Sequence, residues 1–242
     1  MSVEFDQILL VPGYRKVAAA ITERILSREL REGERLPSET ELARQFGVNR
    51  STVREALREL ESGGLLERRP GSKLMTVSRP RHRAVAKDVS RALALHDVTF
   101  LEVWEALTQF EPPFAEIAAR NRTPADLEGL SAACARFAQE NADTDKAVRD
   151  TAEFFRAIGR ATHNQVLGLV QEPLLDLLEP SLRVMIDKVP QARARIAAAQ
   201  RRILEAITKR DTEAARGWMV KHIRDFRKGY ELADIALDCR IT

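Results

Sequence analysis

The sequence predicts an N-terminal winged helix-turn-helix, α with a small β wing, followed by an all-α helical-bundle domain. Three observations carry this. Two short amphipathic segments separated by a glycine-containing turn lie between Ser38 and Ser62, and two short β-rich runs joined by Pro70 and Gly71 follow them. A polar, basic stretch from Ser78 to Asp88 interrupts both periodicities. From Val89 onward alanine, leucine, arginine and glutamate dominate, all good helix formers, and strand patterning is almost absent. The expected boundaries are 10–78 for the first domain, 79–88 for a linker and 89–242 for the second.

In the first domain, Tyr14, Val17, Ala18, Ile21 and Ile25 recur at helical spacing over residues 14–28, with charges on the opposite face. Gly33 and Pro37 make the next stretch a loop. Ser38 then offers a hydroxyl cap to a short helix, whose first-turn Glu39 and Glu41 suit the helix dipole, and Gly47 ends it. Val48 and Asn49 form the turn. A second helix from about Arg50 to Ser62 buries Val53, Ala56, Leu57 and Leu60 before Gly63 and Gly64 stop it. Residues 65–68 and 73–77 form the hairpin that is the wing.

The second domain is expected to hold helices at 99–120, 124–140, 145–161, 165–187, 191–209 and 212–236. Pro112 and Pro113 should kink the first, and Pro173 and Pro180 should break the fourth. Thr123 and Asp211 sit where N-caps belong, and Pro124 suits the first turn after Thr123. Short connections imply antiparallel neighbours in a bundle.

The 242 residues carry a formal net charge of +3, so any basic footprint must be local. That footprint lies on the second short helix, where Arg50, Ser51, Thr52 and Arg54 crowd the first turn. In a helix-turn-helix this end enters the DNA major groove; arginine forks onto guanine O6 and N7, and hydroxyls reach phosphates or base edges. Arg68, Arg69, Gly71 and Lys73 equip the wing for backbone or minor-groove contact. Any single arginine is more often part of a solvated face; the combination with helix spacing, turn and wing is what points to double-stranded DNA.

Cys134 and Cys239 lie far apart with no metal-ligand spacing, fitting buried thiols in a reducing cytosol. No secretory leader or membrane-length apolar run is present, so a cytoplasmic chain is expected, with no membrane partner. Enzyme chemistry is disfavoured: there is no nucleophile–base pairing, Gly-rich phosphate loop or intact metal set.

Residues 12–78, with LPSETELARQFGVNRSTVREALRELESGGLL and the PGSK wing, resemble the GntR family of bacterial regulators. The resemblance places DNA contacts on Arg50, Ser51, Thr52, Arg54 and the wing around Gly71; some relatives carry an arginine at the position of Thr40. EALTQFEPPFAEIAARN, FFRAIGRATHNQVL and QRRILEAITKRDTEAARGWMVKH resemble the FCD effector domain of the FadR-like branch.

FCD domains commonly hold a divalent metal through one Asp and three His, with an organic acid capping it. By the resemblance those four positions fall on Thr151, Phe155, Gln200 and His222, and an arginine that reaches an acidic ligand falls on Leu107. A phenylalanine cannot ligate and one imidazole does not hold Zn²⁺. No metal and no cofactor is therefore expected. Leu107, Thr151, Phe155, Gln200 and His222 remain the candidate effector contacts. Two alternatives stay open: a displaced site from Asp150, His163 and His222, and a cavity filled in as core. The resemblance implies an effector-responsive repressor, a homodimer on a palindromic operator. A constitutive DNA binder that has lost its effector is the alternative.

Overall fold

The computed structural model describes residues 11–79, 82–139 and 143–241, and the chain divides into two units between Arg81 and His82. Residues 10, 80, 81, 140 and 242, on which some expected boundaries fall, lie outside the described residues.

The first unit holds α1 (Gly13–Leu26), α2 (Glu39–Phe46), α3 (Arg50–Ser62), β1 (Leu66–Arg68) and β2 (Met75–Val77). The strands pair antiparallel, Leu66 opposite Val77 and Arg68 opposite Met75. Residues 33–36, expected as plain loop, run along the other edge of β2: Leu36 N donates to Met75 O at 2.9 Å and Val77 N to Glu34 O at 2.8 Å. The expected caps form. Ser38 Oγ accepts from Glu41 N at 3.2 Å, and Gly47 takes a φ of 65°, a conformation that costs a side chain but not a glycine. Val17, Ile21, Leu42, Val53, Leu57, Leu60 and Leu66 make one small core under α1, α3 and the hairpin.

The second unit runs α4 (His82–Leu95), α5 (Phe100–Asn121), α6 (Pro124–Ala138), α7 (Thr144–Ala161), α8 (Gln165–Lys188), α9 (Ala192–Thr208) and α10 (Thr212–Leu232). Two expectations are corrected. From His82 onward the stretch expected as linker is helix: α4 packs along α8, and Ala86 is buried there. Packing of one face outweighs the broken hydrophobic periodicity of this segment. Pro173 and Pro180 do not break α8, which runs through from Gln165 to Lys188, and α5 likewise continues across Pro112 and Pro113, since prolines within a packed helix are held by their neighbours.

Caps position the bundle. Thr99 with Glu102, and Thr123 with Asp126, form reciprocal capping boxes, and Asp211 accepts from Ala214 N at 2.9 Å. After α10 the tail returns to the start of α5, where Leu101 N donates to Leu237 O at 2.8 Å and Ile241 N to Val98 O at 2.9 Å. The core joins Leu107, Phe114, Phe154, Phe155, Ile203, Ile223, Phe226 and Tyr230. Each such side chain contributes about 1.5–3 kcal/mol by leaving water. Cys134 is half-buried, but Cys239 is exposed, contrary to the expectation of two buried thiols. No helix among the described residues is long and apolar enough to cross a membrane.

Candidate nucleic-acid interface and buried polar cavity

In α3 the apolar residues fall on one side, so the helix turns Arg50, Ser51 and Arg54 outward at its N-terminal end. Thr52 is half-buried: a Cβ at Gly13 would stand 3.3 Å from its Cγ2. Asn49 gives α3 no side-chain cap hydrogen bond, leaving the first amides for solvent or an anion.

Glu39, at the start of α2, ties this end together. Its Oε2 accepts from Arg50 Nε at 2.9 Å and from Arg54 Nη2 at 3.2 Å. The Arg54 hydrogen bond, followed by that of Arg50, holds the Glu39 carboxyl below its usual range. Arg50 is thereby gripped by Nε, which leaves its Nη1/Nη2 fork for an incoming acceptor pair. Sequence reading credited Glu39 to the helix dipole alone. The signal it missed was an acid in the first turn of one helix facing two arginines in the first turn of the next.

On the wing, Gly71 takes a φ of 77°, and a Cβ there would meet nothing within 4 Å. The turn is therefore open at its tip. Lys73 is exposed; Arg69 is exposed and pairs with Glu67 at 3.4 Å. Arg68 Nη1 donates to Lys73 O at 3.2 Å, bracing the hairpin. Thr40 is exposed beside Glu39.

In the second unit, Leu107, Thr151, Phe155, Gln200 and His222 are all buried, each at 1% exposure or less. The His222 ring stacks on Phe155 with centroids 5.6 Å apart and planes 8° from parallel, and Phe226 lies 4.7 Å away on a tilt. Burial pushes the His222 imidazole down to about 4, so it is neutral at pH 7. Its Nε2, and both Oε1 and Nε2 of Gln200, are buried with no hydrogen-bond partner. Such orphans cost about 1–3 kcal/mol each and call for a partner. A cavity of about 20 Å³, room for one water, adjoins His222 between α8, α9 and α10.

These residues do not suit a metal. Thr151 Oγ1 already donates to Ala147 O at 2.9 Å, Phe155 has no donor atom, and Gln200 offers a neutral amide. The displaced set is not assembled: Asp150 pairs with Arg136 at 3.6 Å and His163 Nε2 lies 2.7 Å from Asp126 Oδ2. Among the described residues no group of three or more His, Cys, Asp or Glu stands where it could hold a metal ion.

A second buried polar set went unread in the sequence. Gln171 Nε2 donates to the two Glu111 carboxyl oxygens at 3.0 and 3.1 Å and to Phe155 O at 3.1 Å. Glu111 is fully buried, and desolvation pushes its carboxyl up to about 8 against the lowering effect of Gln171. A Cβ at Gly159 would stand 2.2 Å from Gln171 Oε1, so glycine is what admits the amide.

Comparison with known proteins bears on both units. The family model for bacterial regulatory proteins of the gntR family matches residues 13–74, and that for the FCD domain matches residues 102–225. The chain is 30% identical over 217 residues to the putative L-lactate dehydrogenase operon regulatory protein of Escherichia coli strain K12, covering 86% of this chain and 82% of that one. It is 30% identical to the transcriptional repressor NanR of Cronobacter sakazakii, over 86% of this chain and 81% of the other. Among solved structures, Streptococcus agalactiae GntR superposes with a TM-score of 0.63 at 25% identity, covering 89% of this chain and 99% of that one.

Proposed function

The chain belongs to the GntR family of bacterial regulatory proteins, with an FCD domain as its second unit, and from that premise we propose an effector-responsive repressor acting as a homodimer on a palindromic operator. The observation that supports it is the Glu39–Arg50–Arg54 cluster at the N-terminal end of α3, which presents the Arg50 fork, with the Arg54 cation held beside it by Glu39, where a helix-turn-helix meets base edges. Arg50, Ser51, Thr52 and Arg54 read the major groove, while Arg69, Gly71 and Lys73 contact the backbone or minor groove.

A two-fold protein reads a two-fold site, each α3 taking one half. On α4, Val85 and Val89 stand one turn apart and exposed, an apolar strip fit for a second copy. The reading as a repressor draws support from the NanR relative, which is named one.

An effector bound at Leu107, Thr151, Phe155, Gln200 and His222 would alter operator affinity by favouring one arrangement of the dimer. The small size of the void favours a second reading, a constitutive DNA binder whose cavity has filled with core. Selection of bound sequences from a random DNA pool tests the first claim. An inverted repeat is expected, and a direct repeat or no enrichment would overturn it. A metabolite screen against the selected operator separates the two readings, since only a responsive regulator is released.

A further inference from the structure

We propose that the cavity beside His222 takes an uncharged, mostly apolar ligand carrying one amide-like or hydroxyl group, admitted by displacement of Met185, without metal or carboxylate. This rests on the reading of the second unit as effector-binding, and names the class of effector.

Gln200 and His222 lie level with each other across the α9–α10 hairpin: eight residues separate Gln200 from the end of α9 and ten separate the start of α10 from His222. At 1.5 Å per residue they differ by only about 3 Å along the axes. Both face inward, and three of their polar atoms are buried without partners. A core with no ligand would gain by placing leucine and phenylalanine here, because apolar groups of like shape remove the cost of unmade hydrogen bonds. Keeping a neutral amide and a neutral imidazole in an apolar setting is the pattern of a binding site with a few placed polar groups.

Charge decides the ligand class. Among the described residues that line the cavity Arg195 is the one cation, and it is already paired with Asp225, another lining residue, at 2.7 Å. Leu107, Phe155 and Phe226 bring no charge. A carboxylate entering this space would lose its hydration with no free countercharge to offset it. His222 lines the cavity and Gln200 lies one turn of α9 beyond the lining residue Ile196, so an amide or hydroxyl would exchange hydrogen bonds first with His222 Nε2 and, reaching on, with Gln200 Oε1 and Nε2.

The route inward is also written in the packing. Met185 lines the cavity, and its Sδ occupies the place a Gly229 Cβ would need, 2.2 Å from that position. Glycine at 229 thus lets a flexible thioether lie against the backbone of α10 and close the space. Methionine has three rotatable bonds and repacks readily, which suits a plug.

Isobutyramide and isobutyrate share a shape and differ in charge, so they are the probes. In thermal-shift titrations of the full chain, isobutyramide is expected to raise the melting temperature with the logarithm of one plus its concentration over Kd, and isobutyrate to do nothing, with or without Zn²⁺. Met185→Ala should tighten isobutyramide about tenfold by enlarging the cavity. Gln200→Leu and His222→Phe should abolish the shift while leaving the unliganded melting temperature equal or higher, which shows that they fold. Stabilisation by isobutyrate, with or without Zn²⁺, overturns the proposal. So does the absence of any isobutyramide shift in both wild type and Met185→Ala, since the void then holds only water. Operator affinity measured without probe reports separately on the DNA-reading function, so the two claims fail independently.

Discussion

Glu39 Oε2 accepts from Arg50 Nε at 2.9 Å, across the turn that joins the two helices of the DNA-reading motif. Because the grip is on Nε, the paired nitrogens at the end of this exposed guanidinium are left clear of Glu39. Arg50→Ala and Arg54→Ala should each weaken specific operator binding by about 1–3 kcal/mol, the scale of a lost bidentate base contact. Glu39→Gln should cost little stability, since exposed ion pairs contribute about 0–1 kcal/mol. It should nevertheless lower the ratio of specific to non-specific affinity, because two freed cations bind any phosphate. Fluorescence anisotropy on operator and scrambled duplexes measures both; an unchanged ratio would remove Glu39 from the reading.

Lys73 is a different kind of contact. It is exposed beside the open turn at Gly71 and offers a point charge rather than a fork. Lys73→Ala should weaken all sequences alike and reduce the slope of log K against log salt by about 1. A change in sequence preference instead would place the lysine at a base edge.

These readings show what the sequence makes visible. The winged motif was legible because each boundary is set by one local device: Ser38 as cap, Gly47 in the left-handed region, two glycines after Ser62. α4 was not, because its helix is decided by α8, a neighbour that no local pattern announces. The prolines of α8 misled for the same reason. Buried polar partners sixty residues apart, such as Glu111 and Gln171, leave no spacing signal at all. The five candidate effector positions rest on family resemblance alone, whereas the unpartnered state of Gln200 and His222 appears only once both are buried.

The second unit should dimerise alone. Residues 82–242 have their own core and include α4 with its exposed Val85 and Val89. Light scattering at micromolar concentration should report a dimer, and Val85→Glu with Val89→Glu should shift it toward monomer. A monomeric wild-type fragment would move the interface into the first unit.

Two buried groups give the pH response opposing slopes, beside the acid-side loss contributed by lowered carboxylates such as Glu39 and Glu41. Glu111 titrates near 8 when folded against an ordinary 4.5, so between those values the folded chain holds the extra proton and stability falls as pH rises. His222 titrates near 4 when folded against 6.5, so between those values the unfolded chain holds it and stability rises with pH. The two oppose each other from about 4.5 to 6.5. Above 6.5 only Glu111 acts, and the melting temperature should decline until about pH 8. Glu111→Gln should flatten that decline, and His222→Phe should instead soften the loss below about 4.5. Melting curves from pH 4 to 9 on the three proteins test the assignment; a decline that survives Glu111→Gln would place its source elsewhere.

The last prediction concerns metal. The positions to which the resemblance to FCD domains assigns one Asp and three His are here Thr151, Phe155, Gln200 and His222. A transition-metal site needs several deprotonated or imidazole donors converging within about 2.0–2.3 Å. Thr151 spends its hydroxyl on Ala147 O, Phe155 covers the His222 face by stacking, and Gln200 binds such ions weakly. Nor, among the described residues, do carboxylates complete the set: Asp225, which lines the cavity, is engaged by Arg195, Asp150 by Arg136 and Asp126 by His163. Purified protein should therefore contain no stoichiometric Zn, Mn or Ni, and chelators should leave its melting temperature unchanged. Restoring the donors by Thr151→Asp, Phe155→His and Gln200→His together should create metal-dependent stabilisation, because His222 already stands in place. One equivalent of metal per wild-type chain, lost together with thermal stability on chelation, would show that a donor set other than these four positions is at work.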